Sequence, residues 1–452
     1  MKKTFLLLSL LSLCFLSGAA LQIPPQSQGV IVIRNVTLID GTGREPKLGV
    51  SLVIEDGRVK SIITAKNGQF PQGANVVDLT GKTVMPALIC THAHVGLLKG
   101  TQISPENYTE ENVVRQLKQY EAYGISTVLS LGQDRELVFD LRERSRQGQL
   151  PGARILTAGF GIGARDGIPP DGGSSGKILR PANAEEARQA VRQLQSYQPD
   201  FIKIWVDDGG GSSPKMTPEV YKAVLDEARK AGIRVAAHVY YLEDAKQLVA
   251  NGVSVIAHSI RDREADEELI RMMKEKGVCY IPTLSLDEYK FVFAEPPAWV
   301  NEPAFRQSLE PGVLEMIESE DFRNKLKTSP SREKDIAAFK LALRNVKKLY
   351  DAGVMIAMGS DSGAQPIRTQ GFSEHLELEE MVNAGLTPLQ AITCATRNGA
   401  RLLNRVDSLG TLEPGKTADF IVLDANPVNA VANTRKIHSV WRNGKKVADK
   451  LD

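Results

Sequence analysis

Between residues 84 and 358 the chain alternates short apolar runs with longer amphipathic stretches, and this alternation limits the folds open to it more than any other feature. The apolar runs fall at 84–89, 125–131, 153–160, 201–206, 233–237, 253–257, 278–284 and 354–358. Helical periodicity fills the gaps at 106–123, 135–146, 183–197, 218–231, 242–250, 265–276 and 336–351. Eight strands with helices between them have the arithmetic of a closed parallel (β/α)8, TIM-like barrel. An open doubly wound sheet is the alternative, but no Gly-rich dinucleotide loop follows any of these strands. The fold class expected is therefore α/β, with the barrel occupying residues 85–406.

Both ends of the chain read differently. Residues 30–33, 35–39 and 50–54 are strand-like, and Glu55-Asp56-Gly57-Arg58 makes a hairpin into 59–63. At the far end, 419–424 and 440–445 repeat this chemistry, with Asn443-Gly444 as a strong turn signal. Residues 28–84 and 407–452 are expected to assemble one small β-sandwich domain from both termini.

The first 20 residues read as a secretory signal peptide. Lys2-Lys3 precede an apolar core from Phe5 to Leu16, and Ser17-Gly18-Ala19-Ala20 offer a small-residue cleavage site. The mature chain is then expected in the periplasm or outside the cell. With Lys2 and Lys3 removed, the 56 basic residues fall to match the 54 acidic ones, so charge gives no case for nucleic acid or an anionic membrane. No later stretch is long and apolar enough for a membrane span. Cys90, Cys279 and Cys394 remain, an odd and widely spaced set that is not a disulfide framework.

Two connections exceed ordinary loop lengths. Residues 161–180 are rich in Gly and Pro, and 285–333 hold Tyr289, Phe291, Phe293 and Trp299. Both follow strand C-termini, where a barrel's pocket opens, so they are expected to form a lid or specificity wall.

Chemistry concentrates at the same strand ends. His92-Ala93-His94 places two imidazoles on one face of a strand, because side chains alternate with period two. The chain has only six histidines, and His238 and His258 also close apolar runs. Lys203 lies in the fourth run and Asp361 just past the eighth. A barrel gathers these six residues at one rim. A lysine buried among imidazoles is disfavoured unless its charge is removed. Carbamylation by CO₂ is one way to do so, and the resulting carboxylate could bridge two metal ions. His375 opens a helix and His438 lies in the terminal β-region, so both are expected to be structural; Asp207-Asp208 are expected to shape a loop.

These residues resemble the amidohydrolase superfamily, in its prolidase-like and imidazolonepropionase-related branch. The likeness is carried by His92-Ala93-His94, Phe201-Ile202-Lys203-Ile204, His238, Ala257-His258-Ser259 and Gly359-Ser360-Asp361-Ser362. The segments 386–392, 395–400 and Gly410-Thr411-Leu412-Glu413-Pro414-Gly415-Lys416-Thr417-Ala418-Asp419-Phe420 extend it over the whole mature chain. Cys90-Thr91 departs from the pattern, since relatives often carry Ile-Asp there.

The resemblance implies a binuclear metallohydrolase. His92, His94 and Asp361 would bind one divalent ion, His238 and His258 the other, and carbamylated Lys203 would bridge them. The mixed N/O ligand set points to Zn²⁺, while Mn²⁺ or Co²⁺ also fits. A metal-bridging hydroxide would attack an amide carbonyl, Asp361 would carry the proton, and Tyr240 would bond the developing oxyanion. The expected substrates are small molecules: Xaa-Pro-type dipeptides or N-acyl amino acids. The alternatives are a mononuclear deaminase or cyclic-amide hydrolase, and a lactone or phosphotriester hydrolase. Arg165, Arg180 and Arg368 are candidates for holding a substrate carboxylate, and the sequence does not choose among them. Assembly into a homo-oligomer stays open.

Overall fold

The computed structural model describes residues 29–64, 69–170 and 177–450; the expected signal peptide lies outside them. Strands from both chain ends join in one eight-stranded sheet, in which Phe420–Leu423 lies between Thr83–Pro86 and Ile437–Arg442. Val84 stands opposite Val422 and Met85 opposite Ile421 in antiparallel register. Two tight turns hold this sheet. Asp56-Gly57 and Asn443-Gly444 each place two successive residues at positive φ, as the expected hairpins require. The turns touch one another, since a Cβ on Gly57 would stand 2.8 Å from the Asn443 carbonyl oxygen. One apolar core, including Ile33, Leu52, Val59 and Phe420 stacked on Trp441, is shared by strands of both termini.

The apolar run 84–89 is not one strand. It divides at Ala87: Thr83–Pro86 pairs in the terminal sheet, while Leu88–Ala93 runs parallel to Ile125–Ser130. The Ala87 N–H still bonds the Asp419 carbonyl of the terminal sheet, whereas the Leu88 N–H turns to the Gly124 carbonyl, so the ladder changes partners between them.

The central strands are parallel. Leu88–Ala93, Ile125–Ser130 and Arg154–Thr157 form one sheet; Ile202–Val206, Val235–Val239, Val255–Ala257 and Cys279–Ile281 form another. Isolated parallel bridges lie beside these sheets, Ile162 to Ile204 at one edge, Tyr280 to Ile356 and Ala93 to Ser362 at the other. The eighth expected strand, 354–358, is extended backbone with one bridge residue, Ile356. The third strand ends at Thr157 because Gly159 and Gly161 take positive φ, and the Trp205 indole fills the space a Cβ on Gly161 would need. The seventh ends at Ile281, since Thr283 is left-handed and the helix Leu284–Glu288 starts directly after it.

Amphipathic helices cover the strands, several starting at side-chain caps: Thr109, Asn183, Thr217 and Asp266 each accept a backbone N–H of the first turn. No helix among the described residues is long and apolar enough to cross a membrane. The long 285–333 connection folds into short helices, with Phe293 packed on Tyr289, Trp299, Phe305 and Phe322. Its aromatics form a local core against Phe372, while Leu286, Lys290 and Ser331 face the central cavity.

Candidate metal centre

His92 sits inside its strand and His94 one residue past it, both buried and on the same side. From the segment that follows the bridge residue Ile356, Asp361 reaches them from a left-handed backbone position. Its Oδ1 lies 3.2 Å from His92 Nε2 and 2.9 Å from His94 Nε2. Among the described residues, these three form the one group of at least three His, Cys, Asp or Glu donors close enough for a shared ion. Lys203, fully buried, places Nζ 3.4 Å from His92 Nε2. His258 packs against both His92 and His238, with ring centroids 4.6 and 4.2 Å apart. All six expected residues line one cavity of about 550 Å³.

Three of the four imidazoles are oriented by a partner outside the cluster. His94 Nδ1 meets the Gly132 carbonyl at 3.1 Å, and His258 Nδ1 meets Thr283 Oγ1 at 2.8 Å. His238 is held from the other side, its Nε2 2.9 Å from Asp207 Oδ2. His92 Nδ1 is buried with no partner. A neutral His94 that donates Nδ1–H to Gly132 must aim its Nε2 lone pair at Asp361 Oδ1, so two acceptors converge 2.9 Å apart. A cation between them resolves that conflict, and the donor set suits a divalent ion. The residues fit the metal that the sequence led us to expect.

Electrostatics agree. Burial, then the neighbouring Lys203, push His92 down to about 3, and burial holds His238 low and His258 well below the ordinary value. Neutral imidazoles are the form that binds metal. Burial also lowers Lys203 to about 7, so its amine is substantially uncharged near neutral pH. Burial works to raise Asp361, but its close contacts with His92 and His94 and the charge of Arg368 take it well below the usual carboxylate range.

The remaining expectations sort by position. Tyr240 lines the cavity although its strand stops at Val239, and its ring lies over the Arg261 guanidinium. Tyr241 turns away and donates to Asp208. His375 is structural, bonded to Tyr123 O and Thr434 Oγ1, and His438 pairs with Asp424 in the terminal sheet. Thr91 of the unusual Cys90-Thr91 pair donates its hydroxyl to Met358 O, tying the first strand to the eighth. Asp207 does shape its loop, accepting the Gly209 N–H, but it also orients His238, which sequence reasoning missed. Glu374 was missed as well: its Oε1 accepts the hydroxyls of Ser360 and Ser362, the two neighbours of Asp361. The serines flanking Asp361 were the available signal.

Residues 83–447 match the model of the Amidohydrolase family. An ochratoxinase of Aspergillus niger is 27% identical over 303 residues, 64% of this chain and 55% of that protein, so the chain spans about half the length of that relative. An imidazolonepropionase of a Geobacillus species is 22% identical over 417 residues, 83% of each chain. The crystal structure of a Xaa-Pro dipeptidase with methionine bound in its active site superposes with a TM-score of 0.74 at 25% identity, covering 93% of this chain and 100% of that one.

Proposed function

Because this chain belongs to the amidohydrolase family, we propose that it is a metal-dependent hydrolase of C–N amide bonds in small molecules, with Xaa-Pro-type dipeptides or N-acyl amino acids as favoured substrates. The observation that carries this reading is the convergence of His92, His94 and Asp361 on one point, with Lys203 3.4 Å from His92 Nε2. His92, His94 and Asp361 would hold one divalent ion, His238 and His258 a second. Lys203 would join the two as a carbamate, formed when its neutral amine adds to CO₂ and gives up a proton. Zn²⁺ suits the donors best, with Mn²⁺ or Co²⁺ as alternatives. Ions held there would lower the pKa of water and polarise the substrate carbonyl. Asp361 then takes the proton released by the attacking water and delivers it to the leaving nitrogen. Tyr240 donates its phenol hydrogen to the oxyanion that develops. We read the terminal sheet as a small β-sandwich domain beside a closed (β/α)8 barrel, and the first 20 residues as a signal for export to the periplasm.

Metal analysis of protein expressed with bicarbonate, with a screen of dipeptides and N-acyl amino acids, tests the proposal. Two ions per chain and turnover of an amide are expected. Lys203→Ala should retain at most one ion and lose at least about a hundredfold in kcat; near-native turnover with two ions retained would rule out the bridge. A mononuclear reading is favoured by one observation, that a single three-donor group is present among the described residues. One ion in an active wild-type enzyme would establish it.

A further inference from the structure

We infer that the cavity selects substrates carrying a negative charge near the scissile amide, and that Arg368 makes the selection, assisted at the mouth by Lys334. The inference rests on the hydrolase reading above and narrows its substrate class. It follows from which charged groups of the cavity wall already have partners. The acids do: Asp361 lies against His92 and His94 and accepts from Arg368, Asp207 accepts from His238 and Gly209 N, and Asp335 from the Ser331 hydroxyl. Among the cations, Arg261 and Lys290 share Asp287. Arg261 leaves Nε buried without a partner, but its Nη1 and Nη2 are taken by Asp287 and the Val239 carbonyl, whereas Arg368 Nη2 and the Lys334 ammonium bond no described residue.

Arg368 is the first. Nη1 donates to Asp361 Oδ2 at 2.5 Å, on the side of the carboxylate away from the histidines, and Nε is buried without a partner. Nη2 bonds no described residue, so it is the donor left for a ligand in the cavity that Arg368 lines. One corner of the planar fork is fixed by Asp361, which leaves little side-chain entropy to lose when an anion binds the other. Lys334 is the second. It is exposed on the helix Arg332–Asp351, bonds no described residue, and its amine lies 3.4 Å from where a Cβ on Gly210 would stand, across the cavity mouth. The other arginines considered from the sequence serve elsewhere. Arg180 donates to the carbonyls of Ala164 and Pro169, and Arg165 pairs with Glu186 on the exposed surface. Because each described carboxylate of the cavity wall already has a partner, the Arg368 Nη2 and Lys334 donors are left to receive a carboxylate from a ligand.

The test compares cleavage of the same bond in a dipeptide or N-acyl amino acid and in its C-terminal carboxamide. A charge-assisted hydrogen bond predicts a preference for the acid of about ten- to a hundredfold in kcat/KM. Arg368→Gln should bring the ratio to within about threefold, chiefly by raising KM for the acid, and Arg368→Lys should restore part of it. Lys334→Ala should lower the ratio a few-fold. A wild-type enzyme that treats acid and amide alike overturns the inference. So does an Arg368→Gln variant that loses activity on both while keeping the ratio, because Arg368 would then act only through Asp361. If no amide is cleaved, the hydrolase reading fails by itself. Charge selection is then read from calorimetric binding of N-acetylproline against N-acetylprolinamide to the metal-loaded protein: tighter binding of the acid, abolished in Arg368→Gln, supports it, and equal binding overturns it.

Discussion

Asp207 and His238 show how one contact decides what an imidazole can do. Asp207 Oδ2 accepts from His238 Nε2, so His238 is left with Nδ1 for a cation, whereas His94 and His258 are tied at Nδ1 and offer Nε2. Replacing Asp207 by Leu should weaken binding of the second ion by about ten- to a hundredfold, with Asp207→Asn losing much less because its amide oxygen still accepts. Metal titration of the two variants measures this directly. Glu374 acts on the other side of the centre. It is fully buried and takes the Ser360 and Ser362 hydroxyls and the Gly371 N–H. Glu374→Ala strands these three donors and should cost at least about 3 kcal/mol in denaturant unfolding, since each unpaired buried group costs about 1–3 kcal/mol.

At the level of elements, the helix Leu284–Glu288 is anchored to Phe372–Asn383 through carboxylates. Glu377 accepts the N–H groups of Leu284 and Ser285 and the Ser285 hydroxyl, directly after Thr283, which holds His258. Burial raises Glu377 to about 8. Burial, then the carboxylates of Glu380 and Glu377, also push Glu288 upward. A carboxyl raised in the folded state keeps its proton after the unfolded chain has lost it. Between the ordinary value of 4.5 and about 8 the folded state therefore binds more protons, and stability falls as pH rises. Thermal unfolding should show a Tm that declines from pH 5.5 to 8.5. Glu288→Gln should reduce that slope and raise Tm at pH 8 while changing little at pH 5; an unaltered slope would contradict the assignment. The pattern of apolar runs identified the elements themselves well, because burial on both faces leaves a continuous apolar signature. Their ends were less legible: Thr283 and the 159–161 turn stop strands through backbone conformations that no hydrophobic pattern encodes.

For the whole molecule, the centre joins residues of distant strands, so bound metal should stabilise the fold as a whole. Chelation is expected to lower Tm, by an amount equivalent to about 2.7 kcal/mol where free metal had been at a hundred times its Kd. Calorimetry before and after chelation, with metal added back, measures it. In the metal-free protein the buried imidazoles oppose the carboxyl trend. Burial lowers His375 to about 4, and burial with Lys203 lowers His92 to about 3. Below the ordinary value of 6.5 the unfolded chain takes up protons that these folded imidazoles refuse, so their contribution to stability drops as pH falls from 6.5 toward 4. His375→Asn isolates it: the stability lead of the parent over the variant should shrink by about 2 kcal/mol from pH 7 to 4.5, and a pH-independent difference would contradict it.

The sequence alone determined which side chains could meet. Strand alternation puts His92 and His94 on one face, and the repeated strand–helix pattern brings Lys203, His238, His258 and Asp361 to the same rim, because these are periodicities of local backbone geometry. Tertiary structure decided what each of them touches. That Asp207 rather than Asp208 faces His238, that Arg368 rather than Arg165 or Arg180 stands beside Asp361, and that Glu374 braces the Asp361 turn are matters of hydrogen-bond reach. Such contacts are settled within an ångström or so by the packing of segments distant in the chain, and no spacing in the sequence carries that information.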